Sequence, residues 1–169
     1  MIVSVLMKAA WRRRDDAFMK VIVGVGVPGS GKTTYLRPVA DQEGLLYLNA
    51  DDIRNELTGD ASNHTKEGQV WDLLHYRLVE SLKSGRGVVV DATYANVRNR
   101  KGLIKIVRSN GAREVVAIWF NVSTEVSLVR NSKRERKVPE DVIIRMSRSL
   151  ISDPPDIQEG FDAVVEILE

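Results

Sequence analysis

Eight consecutive residues, Gly26-Val27-Pro28-Gly29-Ser30-Gly31-Lys32-Thr33, match the spacing G-x-x-x-x-G-K-[ST] in full. Each residue type has a physical reason. Glycines let the backbone curl so that successive N–H groups point inward, forming a concavity that suits phosphate oxygens. A helix beginning at the same point adds the positive end of its dipole. The lysine then reaches the β- and γ-phosphates of a nucleoside triphosphate, and the threonine hydroxyl coordinates Mg²⁺ (or Mn²⁺). The expected nucleotide site is therefore Gly26, Pro28, Gly29, Ser30, Gly31, Lys32, Thr33 and Thr34, with ATP or another NTP as the ligand.

Three further groups suit a phosphoryl acceptor. Asn49-Ala50-Asp51-Asp52-Ile53-Arg54 follows a short apolar run. A carboxylate there, close to the phosphates, can take a proton from an attacking hydroxyl. Arg54 lies one helical turn from Asp51, so it can face the same cleft and hold an anionic acceptor group bidentately. Asp51 or Asp52 equally suits capping the short helix that follows. Asp91-Ala92-Thr93 ends another valine-rich run. An acid in this place holds the metal, directly or through water, alongside Thr33, and Thr93 joins Asp91 on the acceptor side. Within Leu128–Lys137, Arg130 and Arg134 are four apart on one helix face, and Arg136 follows, expected toward solvent. A basic segment flanked by helices suits a lid that closes over a triphosphate. A charge run alone is as often a solvated face, but beside a phosphate loop the lid is the expected reading.

These groups need a scaffold, and the hydrophobic pattern supplies one. Val21–Val27, Leu45–Leu48, Gly87–Val90, Val115–Val122 and Ala163–Leu168 are short apolar runs, expected as strands. Lys32–Gln42, Ile53–Leu57, Lys66–Lys83, Val97–Asn110, Thr124–Ser132 and Pro139–Leu150 keep helical spacing between them. Strands that are apolar throughout and alternate with helices imply an α/β fold, three-layered, around a parallel sheet of about five strands. Ligands gather at the carboxyl ends of such strands. Each candidate group follows one of them.

At 169 residues the chain suits one domain, expected over residues 19–169. Residues 1–18 place apolar Met1–Met7 ahead of basic Arg12–Arg14, the reverse of a signal peptide, and Asp15-Asp16 argues against a transit peptide. They are expected to be an N-terminal extension, either an upstream start or residues added ahead of the domain. There are no cysteines, which removes disulfides, thiolate metal sites and cysteine nucleophiles and fits a cytoplasmic protein. No apolar run reaches the roughly 18 residues of a membrane span. The net charge of +2 announces no nucleic-acid partner globally. Locally, Arg98, Arg100, Lys101, Lys105, Arg108 and Arg113 lie in a stretch without acids, which suits either phosphate-backbone contact or a solvated helix. Trp71, Tyr76 and Tyr94 are the aromatic candidates for stacking on a base. A switch GTPase is excluded, since Asn-Lys-x-Asp is missing.

On these residues the chain resembles the polynucleotide 5′-kinase family, especially the kinase domain of phage-type end-healing enzymes. The similarity covers roughly Val21 to Leu150. It implies Asp51 as general base, Arg54 on the acceptor phosphate, Arg130 on the donor phosphates and Arg134 on the transferring group. The most specific part is the lid, Arg130-Asn131-Ser132-Lys133-Arg134 followed by Val138-Pro139-Glu140-Asp141-Val142. The lid is slightly compressed between Arg134 and Val138, and Ala50 replaces a larger residue. The resemblance implies transfer of a γ-phosphate to the 5′-hydroxyl end of DNA or RNA, in a host cytoplasm if the chain is phage-encoded. No 3′-phosphatase motif accompanies it. The rival readings are a small-molecule kinase of the same architecture and a non-catalytic module that binds NTP and senses ends.

Overall fold

The computed structural model describes residues 19–168, so the extension expected over residues 1–18 lies outside the described residues. Five strands form one parallel sheet: β1 (Lys20–Val25), β2 (Leu46–Asn49), β3 (Val88–Asp91), β4 (Glu114–Asn121) and β5 (Ala163–Leu168), in the order β2-β3-β1-β4-β5. Six α-helices connect them: α1 (Lys32–Glu43), α2 (Ala50–Thr58), α3 (Glu67–Lys83), α4 (Val97–Ser109), α5 (Thr124–Ser132) and α6 (Glu140–Ser152). This is the expected α/β architecture.

Alternation along β1 divides the core. Val21, Val23 and Val25 face a cluster built with Val70, Leu74, Leu78 and Leu82 of α3, Leu103 and Val107 of α4, and Ile143 of α6. Ile22 faces the opposite side, against Leu36 and Ala40 of α1 with Ile118 and Phe120 of β4. A strand buried on both faces reads as a continuous apolar run, which explains the valines of β1 and β3. Gly24 interrupts that run for a steric reason. A Cβ there would lie 2.4 Å from Leu36 Cδ1, so glycine lets α1 settle close to the sheet.

The register carries the site. Asn49 of β2 is level with Asp91 of β3, which is level with Gly24 of β1. The expected phosphate loop leaves the sheet two residues beyond Gly24. Three sequence-distant groups thus emerge in one row at the strands' carboxyl ends.

Two sequence expectations need correction. Neither Asp51 nor Asp52 caps α2. Asn49 does so, its Oδ1 accepting from the N–H of Asp51 at 2.7 Å and of Asp52 at 3.1 Å, and the helix begins at Ala50 rather than Ile53. The aspartate side chains are free of capping. The basic stretch on α4 is also not one solvated face. Arg100 is fully buried, paired through Nε and Nη2 with the Glu159 carboxylate at 2.7 Å each, and it donates to the Tyr94 and Asp153 carbonyls. Arg108 pairs with Asp162 at 2.6 Å. Both acids lie well outside the acid-free stretch from Asn96 to Arg113.

Candidate functional site

Between Val25 and α1 the chain curls as its glycines require. Gly29 has φ +86°, and a Cβ there would lie 2.4 Å from the Ser127 carbonyl oxygen of α5. Glycine is needed twice over, for the left-handed backbone and for the close approach. The loop is tied to its neighbour strand by the Gly26 N–H, which donates to the Thr93 carbonyl at 3.2 Å. Lys32 opens α1, and its Nζ donates to the carbonyls of Gly26 and Val27 at 2.9 Å each. Burial pushes its ammonium down to about 8. Asp91 and Asp51 pull it back up, while Arg134 pushes it further down. Three groups from different elements therefore reach Lys32 electrostatically, all of them named from the sequence. Ser30 Oγ is buried with no hydrogen-bond partner among the described residues.

Asp91 sits beside the start of α1, buried at 3% exposure. Its Oδ2 accepts from Thr33 Oγ1 at 2.6 Å, from Tyr47 Oη at 2.5 Å and from Asn49 Nδ2 at 2.8 Å. Burial and this bond to a carboxylate push the Tyr47 phenol well above its ordinary value, so it remains a donor. Tyr47 and Asn49 are the residues that sequence reasoning missed here. Asn49 was in plain view at the strand's end, but as a neighbour of two aspartates it drew no separate role. Thr33 Oγ1 and Asp91 Oδ2 are hard oxygen donors beside the phosphate loop, a set that fits Mg²⁺ or Mn²⁺ retaining several waters.

Across the cleft, Asp51 lies in the first turn of α2, half-buried. Arg54 Nη1 bonds its Oδ1, and Arg136 Nη1 stands 2.6 Å from its Oδ2. Burial alone would raise this carboxylate, but Arg136 and Arg54 together hold it below its ordinary value. Arg54 is not the free fork expected from its spacing. Its Nε and Nη2 grip both oxygens of Glu67 at 3.0 and 2.9 Å, and only 5% of the side chain is exposed. Arg136 was expected toward solvent, yet its pairing with Asp51 turns it inward.

The basic loop after α5 is closed at its base by one side chain. Asn131, buried at the end of α5, donates through Nδ2 to the Val138 carbonyl at 2.8 Å and accepts at Oδ1 from the Val138 N–H at 3.0 Å. This amide closes the loop carrying Arg134 and Arg136. One cavity of about 870 Å³ joins the two walls. It is lined by Pro28, Gly29, Gly31, Lys32, Thr33 and Thr34 on one side, and by Asp51 and Arg54 on the other. Asp91, Thr93, Arg130, Arg134 and Arg136 also face it. Of the aromatic candidates, Trp71 and Tyr94 line the cavity, whereas Tyr76 does not and is 63% exposed.

Residues 21–152 match a family described as an AAA domain. The chain belongs to that family of P-loop kinase domains. Among curated relatives it is 28% identical to the adenylate kinase of Thermosipho melanesiensis, over 67% of this chain and 58% of that protein. It is 24% identical to the cytidylate kinase of Methanocaldococcus jannaschii, over 75% and 70%. Among solved structures, a chain of the Pnkp1/Rnl/Hen1 RNA repair complex superposes with TM-score 0.73 at 23% identity, over 86% of this chain and 47% of that one. A gluconokinase from Sinorhizobium meliloti superposes with TM-score 0.57 at 21% identity, over 89% and 83%. The chain thus spans between half and two thirds of the adenylate kinase and under half of the RNA repair chain. Such structural likeness shows the fold, that of P-loop kinases. No helix among the described residues is long and apolar enough to cross a membrane.

Proposed function

We propose that the chain transfers the γ-phosphate of ATP or another NTP to the 5′-hydroxyl end of DNA or RNA. The observation that carries this reading is the half-buried Asp51 carboxylate, held between arginines of α2 and the lid, in the same cavity as the phosphate loop. In this reading Lys32 and Arg130 hold the donor phosphates, and Asp51 takes the proton of the attacking hydroxyl. Arg134 neutralises charge on the phosphoryl group in flight. Thr33 and Asp91 would hold Mg²⁺ or Mn²⁺, which when bound neutralises the β- and γ-oxygens. Thr93 supports the acceptor side from the end of β3. Arg54 positions Asp51 through Oδ1 while anchored on Glu67.

A second reading has an observation of its own. Trp71, Val142 and Met146 also line the cavity, and apolar side chains of this kind suit a whole small acceptor as well as a terminal base. Transfer of labelled γ-phosphate to 5′-hydroxyl oligonucleotides, run against a panel of sugars and nucleosides with Mg²⁺ present, tests the choice. Label on oligonucleotides supports the proposal. Label on a sugar alone moves the small-molecule kinase to the front, and no transfer to any acceptor favours a binding module.

A further inference from the structure

We propose that the exposed face of α4 is a track for the acceptor nucleic acid, holding its phosphate backbone beyond the reacting end. The inference rests on the kinase reading above and concerns how much of a nucleic-acid strand the protein contacts.

Between Asp91 and Glu114 the chain carries six cations and no acid. The fold takes two of them out of play, since Arg100 is buried on Glu159 and Arg108 pairs with Asp162. Arg98, Lys101 and Lys105 stay exposed, and none has an ion-pair partner among the described residues. Other helices neutralise such charges: Arg37, Arg77, Lys83 and Arg145 stand against Asp52, Glu56, Glu80 and Asp141 in turn. Like charges three and four residues apart repel one another, and a polyanion laid along them would remove that cost.

Helical spacing lines the three up. With Gly102 they form one stripe, turned away from buried Leu103, Ile104 and Val107. From Arg98 to Lys105 the axis rises about 10 Å, long enough for more than one phosphate. Gly102 is a second, independent sign. It sits mid-helix, where glycine is the poorest residue short of proline, and a Cβ there would meet no atom within 4 Å. Packing does not require this glycine, whereas bare backbone between cations lets a strand lie close against the helix. The stripe carries no apolar side chain to bury, which argues against a membrane surface.

Where the stripe begins identifies the polyanion. Asn96, which caps α4, and Asn99 in its first turn line the same cavity as Asp51 and the phosphate loop. A nucleic acid whose 5′ end lies at Asp51 can leave past these two amides and run along α4, with its phosphates on Arg98, Lys101 and Lys105. Contacts of this kind supply affinity and register without reading sequence. A nucleoside or a sugar is too short to reach them.

The test compares a 5′-hydroxyl dinucleotide with a 5′-hydroxyl oligonucleotide of about a dozen nucleotides, the length scale of single-strand binding grooves. With ATP and Mg²⁺, wild type should show kcat/KM about tenfold higher on the longer acceptor, in keeping with three exposed charge contacts. Combining Arg98→Gln, Lys101→Gln and Lys105→Gln should bring that ratio close to one. In anisotropy titrations of the labelled longer strand, the same triple variant should flatten the slope of log affinity against log salt by about two, at roughly 0.7 per phosphate contact. Gly102→Gln should raise stability in urea, as a better helix former, and yet lower the ratio by covering the bare backbone. Arg77→Gln, on α3 and paired with Glu56, should keep both the ratio and the salt slope of wild type. A triple variant that keeps ratio and slope places the strand on another face and overturns the proposal. So does one that slows both acceptors equally, as a merely structural role would. Transfer to both acceptors with a wild-type ratio near one overturns the track and leaves the kinase reading standing. Transfer to neither overturns that reading, and the track with it.

Discussion

On the donor wall of the cavity the backbone does the holding, whereas on the acceptor wall charged side chains hold one another. The phosphate loop is set by glycine conformations, by the Gly26 N–H on the Thr93 carbonyl, and by Lys32 folded back on two loop carbonyls. Asp51 is set by Arg54 and Arg136, and Arg54 in turn by Glu67, to which His64 adds a contact at 3.0 Å. A backbone cradle set by local geometry suits what all nucleotides share, the phosphate chain. A network of ion pairs can be redistributed by a charged ligand, which suits the side that must choose its partner. On the proposed function, fixed geometry receives the donor and exchangeable charge admits the acceptor.

Removing the central charge of each wall should separate them most sharply. Lys32→Ala and Asp51→Ala are each expected to lower transfer by about 10³-fold or more. Only Lys32→Ala should also weaken nucleotide binding, because Asp51 lies on the other wall. Titration with a fluorescent nucleotide checks the difference. An Asp51→Ala enzyme with near-normal turnover would move the base to Asp52. Arg134 lines the same cavity and lowers the Lys32 ammonium electrostatically. Arg134→Ala should reduce kcat by about 10³-fold, roughly 4 kcal/mol of barrier, with little change in nucleotide affinity. A loss confined to the KM for ATP would assign it to donor binding instead.

A loss of stability rather than of rate tests what holds the end of β3. Arg100 joins the Tyr94 carbonyl, just beyond Thr93, to Glu159 near the chain's end. Tyr94 has φ +44°, uncommon for a residue with a bulky side chain, and this bond helps keep it there. Breaking a buried ion pair from one side costs about 3–5 kcal/mol. Arg100→Ala should therefore lose about that much stability in urea unfolding, whereas exposed Lys101→Ala stays within about 0.5 kcal/mol. Equal, small effects would return Arg100 to the solvated face that its neighbours form.

How far such features can be read from sequence follows the same division. Among the described residues, the five strands and six α-helices are legible in the sequence to within a few residues, because a strand buried on both faces must be apolar throughout and α3 must repeat its leucines at helical spacing. The phosphate loop was legible for a related reason: its contacts are local, so residue type and spacing suffice. Side-chain networks between distant segments left no such trace. Glu67 is 13 residues from Arg54, and Glu159 is 59 from Arg100. Nothing in either arginine's neighbourhood announces its partner. Local charge counting therefore made Arg100 a surface cation and Arg136 a solvent-facing one, and one-turn spacing made Arg54 a free fork.

The smallest expected effect is a pH dependence, and its sign follows from Lys32. Burial holds the ammonium at about 8 in the ligand-free loop, below its ordinary 10.5. Triphosphate oxygens around Nζ favour the charged form, so the bound state raises it. Above pH 8 the free protein must therefore take up a proton to bind nucleotide. Affinity should be flat below pH 8 and weaken by about tenfold per pH unit just above it. The nucleotide adds no competing slope there, since a terminal phosphate has lost its last proton nearer pH 6. Stability of the free protein runs the other way. A lysine depressed by folding binds fewer protons than in the unfolded chain between pH 8 and 10.5, so this group lets stability rise across that window. Calorimetric titration of a non-hydrolysable NTP from pH 7 to 9.5, with unfolding curves over the same range, reads both slopes. Lys32→Arg, whose guanidinium does not titrate there, should flatten the affinity slope. A wild-type affinity that stays level to pH 9.5 would mean that nucleotide finds Lys32 already as charged as in water, and the buried, carbonyl-bound lysine would no longer describe the donor wall in solution.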